Sequence, residues 1–234
     1  HGFTPGVKPP PAKYVTGGDL VSDVGRVVAL NRELTAKLGM MPSPEPVDLG
    51  LDAVDILPGS EIAFSIETDV FSETLGDLHH GDLLSNRGRV VAAYADLIGP
   101  FMPMPPVPDV GLDAVQVLGS GEVYFSIETD LFSQRLGVFI RRGDLLSNKG
   151  LVVKTHEQLL SQFHPPAEKD FGLDAIYVWP SGEVWFSVEE SFEDRVLGWI
   201  NHGDLLSDRG EVLYQNRDLL RNFQPLEDLA DFGL

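Results

Sequence analysis

Hydrophobic and polar positions alternate cleanly over residues 122–128. Val123, Phe125 and Ile127 fall on one face, and Tyr124 and Ser126 on the other, the two-residue period of a half-buried strand. Ahead of it, residues 114–118 form a short apolar, β-branched run closed by Gly119-Ser-Gly121, which predicts a preceding strand and a turn. A polar stretch follows over residues 129–137. Residues 138–147 then predict a third strand and residues 151–154 a fourth. The last two are joined by Asn148-Lys-Gly150, a short hairpin loop in which Gly takes the left-handed position. A turn or so of amphipathic helix comes next, as in Asn31-Arg-Glu-Leu, His156-Glu-Gln-Leu-Leu and Asn216-Arg-Asp-Leu-Leu, with Asn31 and Asn216 as expected N-caps.

The pattern recurs. Asp48-Leu-Gly-Leu-Asp-Ala returns as Asp109-Val-Gly-Leu-Asp-Ala and Asp170-Phe-Gly-Leu-Asp-Ala, at a step of 61 residues, and Asp231-Phe-Gly-Leu begins it once more. Gly-Asp-Leu-Leu-Ser appears at 81–85, 143–147 and 203–207, with Gly18-Asp-Leu-Val-Ser22 as a fourth version. This predicts an N-terminal segment at 1–47 holding strands three and four of a partial repeat (about 14–40), and repeats at 48–108, 109–169 and 170–230. A further start stands at 231–234, all within one domain.

Four antiparallel strands per unit, arrayed in tandem, is the pattern of an all-β, propeller-like array. On Gly-Leu-Asp-Ala, Gly-Glu-Val-Tyr-Phe-Ser and Gly-Asp-Leu-Leu-Ser the chain resembles the propeller-type repeats of poorly characterised secreted bacterial proteins, over about residues 14–234. The resemblance implies that fold and an extracytoplasmic setting, and carries no activity. The N-terminal segment supplies only strands three and four of a blade. Three expectations follow: a truncated chain, a ring closed by a defective blade, or strands supplied by another chain across the open edge.

Acids outnumber Lys and Arg by 36 to 17, a net charge of −19. That opposes nucleic acid and anionic lipid, and favours divalent cations or basic partners. The chain has no Cys, so it has neither a disulfide framework nor a cysteine metal site. No apolar run is long enough to span a bilayer. The first residue is His1, which predicts a processed or cut chain; a leftover of cleavage explains this histidine better than a copper-chelating N-terminus does.

The polar residues that recur in register are the candidates for chemistry. They are Asp52, Asp113 and Asp174 of Gly-Leu-Asp-Ala; Glu67, Glu128 and Glu189 closing the second strand; Glu61, Glu122 and Glu183 opening it; and Asp19, Asp82, Asp144 and Asp204 of Gly-Asp-Leu. Folding the first two strands about the turn sets Asp113 opposite Ile127, so Asp113 and Glu128 fall at one end of the hairpin. Three such pairs near the mouth of a channel lined by first strands form a candidate calcium site, since Ca²⁺ takes several carboxylate oxygens. The competing expectation is that these acids accept backbone N–H bonds at turns and blade junctions. His79 and His80 share a register with Arg141 and Arg142 and with Asn201 and His202, a drift that argues against a repeated zinc or copper centre. Tyr124 and Trp185 share a register with Ala63, and Trp199 lies near Phe139; these rings are expected to fill space between blades in preference to stacking on sugars.

These features predict a non-catalytic binding module for a protein or glycan ligand, calcium-stabilised, with recognition on the variable loops 68–80, 129–142 and 190–202. Two other readings stand beside it: a metal-dependent hydrolase or lyase with an axial site, and a structural subunit that self-associates through its open edge.

Overall fold

The computed structural model describes residues 15–40, 48–106, 109–166 and 169–223. The expected N-terminal histidine and the Asp231 repeat start lie outside them. The first described strands, β1 (Leu20–Ser22) and β2 (Arg26–Ala29), form a two-stranded sheet that leads into helix α1 (Asn31–Thr35).

The first full repeat contains β3 (Val54–Leu57), β4 (Glu61–Phe64), β5 (Val70–Ser72), β6 (Gly76–Leu78), β7 (Leu83–Ser85) and β8 (Arg89–Ala92), then α2 (Tyr94–Ile98). The second contains β9 (Val115–Val117), β10 (Val123–Phe125), β11 (Leu131–Ser133), β12 (Val138–Ile140), β13 (Leu145–Ser147) and β14 (Leu151–Lys154), then α3 (His156–Leu159). The third contains β15 (Ala175–Val178), β16 (Val184–Ser187), β17 (Phe192–Asp194), β18 (Gly198–Ile200), β19 (Leu205–Ser207) and β20 (Glu211–Tyr214), then α4 (Asn216–Leu220).

In each repeat four strands make one antiparallel sheet, in the orders β3-β4-β7-β8, β9-β10-β13-β14 and β15-β16-β19-β20. The fold is all-β and propeller-like. The remaining two strands pair with each other as a separate hairpin, β5-β6, β11-β12 or β17-β18. This corrects the expected third strand over residues 138–147. That run is two strands of different sheets, broken by a turn at Arg141-Arg-Gly143.

The hairpin register is the one the alternation predicts. Val115 pairs with Phe125 and Val117 with Val123, and the Leu118 N–H donates to the Glu122 carbonyl at 2.8 Å. Each sheet buries a phenylalanine at the same repeat position, Phe64, Phe125 or Phe186, each contributing roughly 1.5–3 kcal/mol of burial.

Neighbouring blades meet along their first strands. Asp55 of β3 accepts the Val117 N–H at 2.7 Å, and Gln116 of β9 accepts the Val178 N–H at 2.7 Å. Second strands are clasped by their serines: Ser65 donates to the Leu112 carbonyl at 3.0 Å and Ser126 to the Leu173 carbonyl at 2.7 Å, both in the following blade.

The glycine of each β-hairpin loop receives the turn that follows the preceding blade. A Cβ on Gly88 would lie 2.3 Å from the Lys37 carbonyl oxygen, one on Gly150 2.8 Å from that of Pro100, and one on Gly210 2.7 Å from the Gln162 Cβ. The fourth such contact joins the ends of the described chain, for a Cβ on Gly25 would lie 2.6 Å from the Asn222 carbonyl oxygen. The Asn222 side chain also donates to the Asp23 carbonyl at 2.7 Å. The N-terminal hairpin therefore occupies a fourth blade position between the third and first repeats.

The glycine of Gly-Asp-Leu is required for a different approach. A Cβ on Gly143 would lie 2.3 Å from the Asp170 Oδ1 and 2.6 Å from the His156 ring. Gly143→Ala is expected to lower stability by about 1–3 kcal/mol through overpacking, read as a lower urea midpoint with an unchanged slope.

Candidate functional site

Three of the recurring acid positions hold the scaffold. The Asp of Gly-Asp-Leu accepts two backbone N–H groups, one three residues before it and one at the first residue of the helix twelve residues on. For Asp82 these are His79 N–H at 3.0 Å and Tyr94 N–H at 2.8 Å; for Asp204, Asn201 N–H at 3.0 Å and Asn216 N–H at 2.9 Å. Asp19 and Asp144 repeat the pattern.

This corrects the expected helix caps. Asn31 and Asn216 are the first helical residues and are buried, and a remote aspartate takes the capping role. Asn31 instead reaches the next blade, accepting the Leu49 N–H at 3.4 Å, much as buried His156 accepts the Phe171 N–H at 3.1 Å. Burial holds the His156 pKa below its usual value.

The Glu that opens the second strand accepts the hydroxyl of Gly-Asp-Leu-Leu-Ser. Ser85 donates to Glu61 at 2.5 Å and Ser207 to Glu183 at 2.8 Å, and Ser147 makes the same bond to Glu122. The Asp that precedes Gly-Leu-Asp-Ala crosses between blades: Gly81 N–H donates to Asp109 at 3.1 Å and Gly143 N–H to Asp170 at 3.2 Å.

The remaining six acids are arranged differently. Glu67, Glu128 and Glu189 lie over Gly50, Gly111 and Gly172 of their own repeats, so close that a Cβ there would come within 2.4 Å or less of the carboxyl group. The Asp of the preceding repeat reaches the same glutamate. Asp52 meets Glu128, and Asp113 meets Glu189. The pairs thus run between blades, whereas the strand register suggested pairing within a hairpin.

Burial and then the Glu128 charge push the Asp52 carboxyl up to about 7. Burial, joined by Glu189, raises Asp113 well above the usual carboxylate range. Burial also raises Glu128, against the opposing charge of His80. The Asp113 Oδ2 and the Glu189 Oε1 are buried without a hydrogen-bond donor. Two carboxylates in this position share one proton or a cation. Arg142 supplies part of the compensation, 2.7 Å from Glu189 and 2.5 Å from Glu190. Among the described residues, no group of three or more His, Asp and Glu side chains is placed to hold a metal ion.

The inserted hairpins occupy the variable loops. Each is anchored to the turn after the preceding blade: Ser72 donates to the Leu38 carbonyl at 2.5 Å, Ser133 to that of Phe101 at 2.7 Å, and Asp194 accepts the His164 N–H. Each also presents one outward cross-strand pair containing an aromatic ring: Phe71 with Asp77, Phe132 with Phe139, and Glu193 with Trp199. Phe71 is 56% exposed, Phe139 66% and Trp199 61%. Phe132 and Phe139 stack edge to face with centroids 5.3 Å apart.

Beside Phe71 is a recess of about 250 Å³ lined by Asp69, Val70, Asp77, Leu78 and His79. There His79 and His80 converge on Asp69 at 3.2 and 2.9 Å, and the His80 contact foremost holds the Asp69 pKa down to about 2. Of the positions weighed for stacking, Tyr124 and Trp185 are both half-buried. Sequence reasoning placed recognition on these loops but expected Trp199 and Phe139 to fill space between blades, which their exposure corrects, and it did not single out Phe71 and Phe132. The one available signal was an aromatic at Phe71, Phe132, Phe139 and Trp199 in otherwise polar stretches.

No helix among the described residues is long and apolar enough to cross a membrane. No family model matches the chain, and no curated protein matches it. Among solved structures it is similar to selenomethionine-substituted virginiamycin B lyase from Staphylococcus aureus (12% identity, TM-score 0.28, covering 69% of this chain and 41% of that one). A streptogramin B lyase structure gives 13% identity and a TM-score of 0.27, covering 72% of this chain and 42% of that one. The chain thus spans about two fifths of the lyase structures it matches, and at these TM-scores the architecture rests on the strand pairing described above.

Proposed function

We propose that the protein is a non-catalytic binding module in which a propeller-like scaffold presents three aromatic-tipped hairpins to a glycan chain. The observation that supports this best is a division of labour. Most polar residues that recur in register are used up inside the scaffold, while the hairpins, which drift in sequence, each expose an aromatic ring from an equivalent outward cross-strand pair, Phe71 from the first strand and Phe139 and Trp199 from the second.

The chemistry suits a sugar. A ring face stacks on the C–H face of a pyranose, and a neighbouring carboxylate, Asp77 beside Phe71 or Glu193 beside Trp199, accepts hydroxyl hydrogens. Three weak contacts on one rigid body add as avidity along a polymer. The net charge of −19 favours neutral or amino-sugar chains over acidic ones.

Binding of chitohexaose, cellohexaose and xylohexaose, followed by calorimetry and tryptophan fluorescence, tests the reading. At least one should bind, and Trp199→Ala and Phe139→Ala should each weaken it by about tenfold, the size of a lost stacking contact of roughly 1–1.5 kcal/mol. Melting temperatures should hardly move, because both rings are exposed. Retention of full affinity in the double variant would sink the proposal. The calcium reading of the six central acids is a separate proposal, tested by metal content and by melting in Ca²⁺ against EDTA.

A further inference from the structure

The fourth blade position differs from the others in a consistent way. Strand β1 has β2 on one edge, and among the described residues nothing pairs with its other edge. In the three full repeats that edge is taken by the second strand, as in Ala63 with Ser85 and Phe64 with Leu84. Leu83–Ser85 and Leu145–Ser147 are fully buried, whereas Leu20, Val21 and Ser22 are each half-exposed.

The polar groups tell the same story. Ser85 and Ser207 donate to the glutamate opening the second strand, but Ser22 turns to its neighbour Asp23 at 3.3 Å. The Asn86 and Asn148 side chains accept the Ile62 and Val123 N–H groups of that strand at 3.1 and 3.2 Å; Asp23 stands at their position in the fourth blade. In the third blade Ser187 donates to Asp174 at 2.9 Å, where Ser65 and Ser126 reach a leucine carbonyl in the following blade.

Both walls of the position are apolar. Tyr177 of β15 is the register mate of Asp55 and Gln116, which bond the next first strand, yet it is exposed. It lies in a cluster with Trp179 and Trp185, the centroids 4.8 and 4.9 Å apart. On the other side Ile56 of β3 is exposed as well.

We infer that this edge is a docking site for a β-hairpin bearing the repeat's own first-and-second-strand pattern, Gly-Leu-Asp-Ala followed by Gly-Glu-Val-x-Phe-Ser. The other blades specify the occupant. Its second strand pairs with β1 and sets a glutamate on the Ser22 hydroxyl, and its first backbone N–H donates to Asp23. Its first strand covers Tyr177 and Ile56. This is recognition by strand addition, with main-chain bonds supplying affinity and side-chain pockets supplying selectivity.

The test uses the whole chain and a synthetic peptide of the sequence of residues 109–128. One-to-one binding with micromolar affinity, a blue shift of tryptophan emission as Trp179 and Trp185 are covered, and a higher melting temperature are expected. Peptides carrying Phe125→Ala or Glu122→Ala should bind at least tenfold more weakly, and a scrambled peptide should not bind. Equal binding of the scrambled peptide, or none by the native one, would overturn the inference. So would a self-associated chain that the peptide leaves intact, because another copy would then cover the edge by a different face. Hexasaccharide binding at the hairpins is read separately with Trp199→Ala, so either result stands without the other.

Discussion

Asp113→Asn is expected to stabilise the protein at pH 8, by about 1–4 kcal/mol, since each unit by which a folded carboxyl is raised above its unfolded value costs about 1.4 kcal/mol once the pH exceeds both. The reason is the position of Asp113 against Glu189, between two blades, with the Asp113 Oδ2 and the Glu189 Oε1 both lacking a donor. The folded protein holds a proton here that the unfolded chain releases above its ordinary carboxylate pKa. An asparagine amide supplies an N–H donor in place of the carboxyl O–H without taking up a proton.

The sign follows from proton counting. A carboxyl whose folded pKa is raised binds more protons folded than unfolded, so stability falls as pH rises above the unfolded value. For Asp52 the loss runs from about pH 4 to about 7, and for Asp113 it continues further into the alkaline range. Acids held low by partners, such as Asp69 beside His80, act the other way and lose their contribution below about pH 4. Chemical denaturation between pH 4 and 9 should show wild-type stability declining on the alkaline side, with a shallower slope in Asp113→Asn. An unchanged slope would mean that the pair is compensated by something other than a proton. Added Ca²⁺ that steepens the difference would identify the compensating species as a cation.

The same substitution at Asp82 should do the opposite. Asp82 is buried, and its two oxygens accept two backbone N–H groups, from His79 and Tyr94. An asparagine turns one of those acceptors into a donor facing a donor. One charge-assisted bond is lost and one buried N–H is left unpaired, about 2–4 kcal/mol together. At roughly 2–4 °C per kcal/mol for a chain of this size, the melting temperature should fall by about 5–15 °C. Thermal melts of the two asparagine variants side by side give opposite signs if the acids have the two roles assigned to them. Two falls would return Asp113 to the class of ordinary hydrogen-bond acceptors.

The contrast also marks what the sequence made legible. The register of Val115 with Phe125 was readable, because a two-residue period and a glycine turn define a hairpin locally. That Asp82 caps a helix twelve residues away was not, since the rule for caps looks at the adjacent residue and so pointed to Asn31. The inserted hairpin was hidden for a related reason. Residues 138–147 look like one run, and only the Gly143 backbone pressed against Asp170 explains why the chain must turn there.

The partner of each central aspartate was beyond reach because it belongs to the next blade. Asp52 and Glu128 are separated by more than a repeat length, and no periodicity encodes which faces of successive blades meet. The exposed rings were visible as letters but not as a surface. Phe139 and Val138 are adjacent apolar residues, and only the pairing of β11 with β12 shows that Phe139 points outward.

Amide chemical-shift mapping with the tightest-binding hexasaccharide is the measurement that reaches the central claim most directly. The account predicts shifts clustered on the inserted hairpins, at Val70–Leu78, Leu131–Ile140 and Phe192–Ile200, with Asp52, Asp113 and Asp174 unmoved. Shifts centred on those aspartates and on Glu128 and Glu189 would contradict it, and would make the central acids the binding or reacting groups.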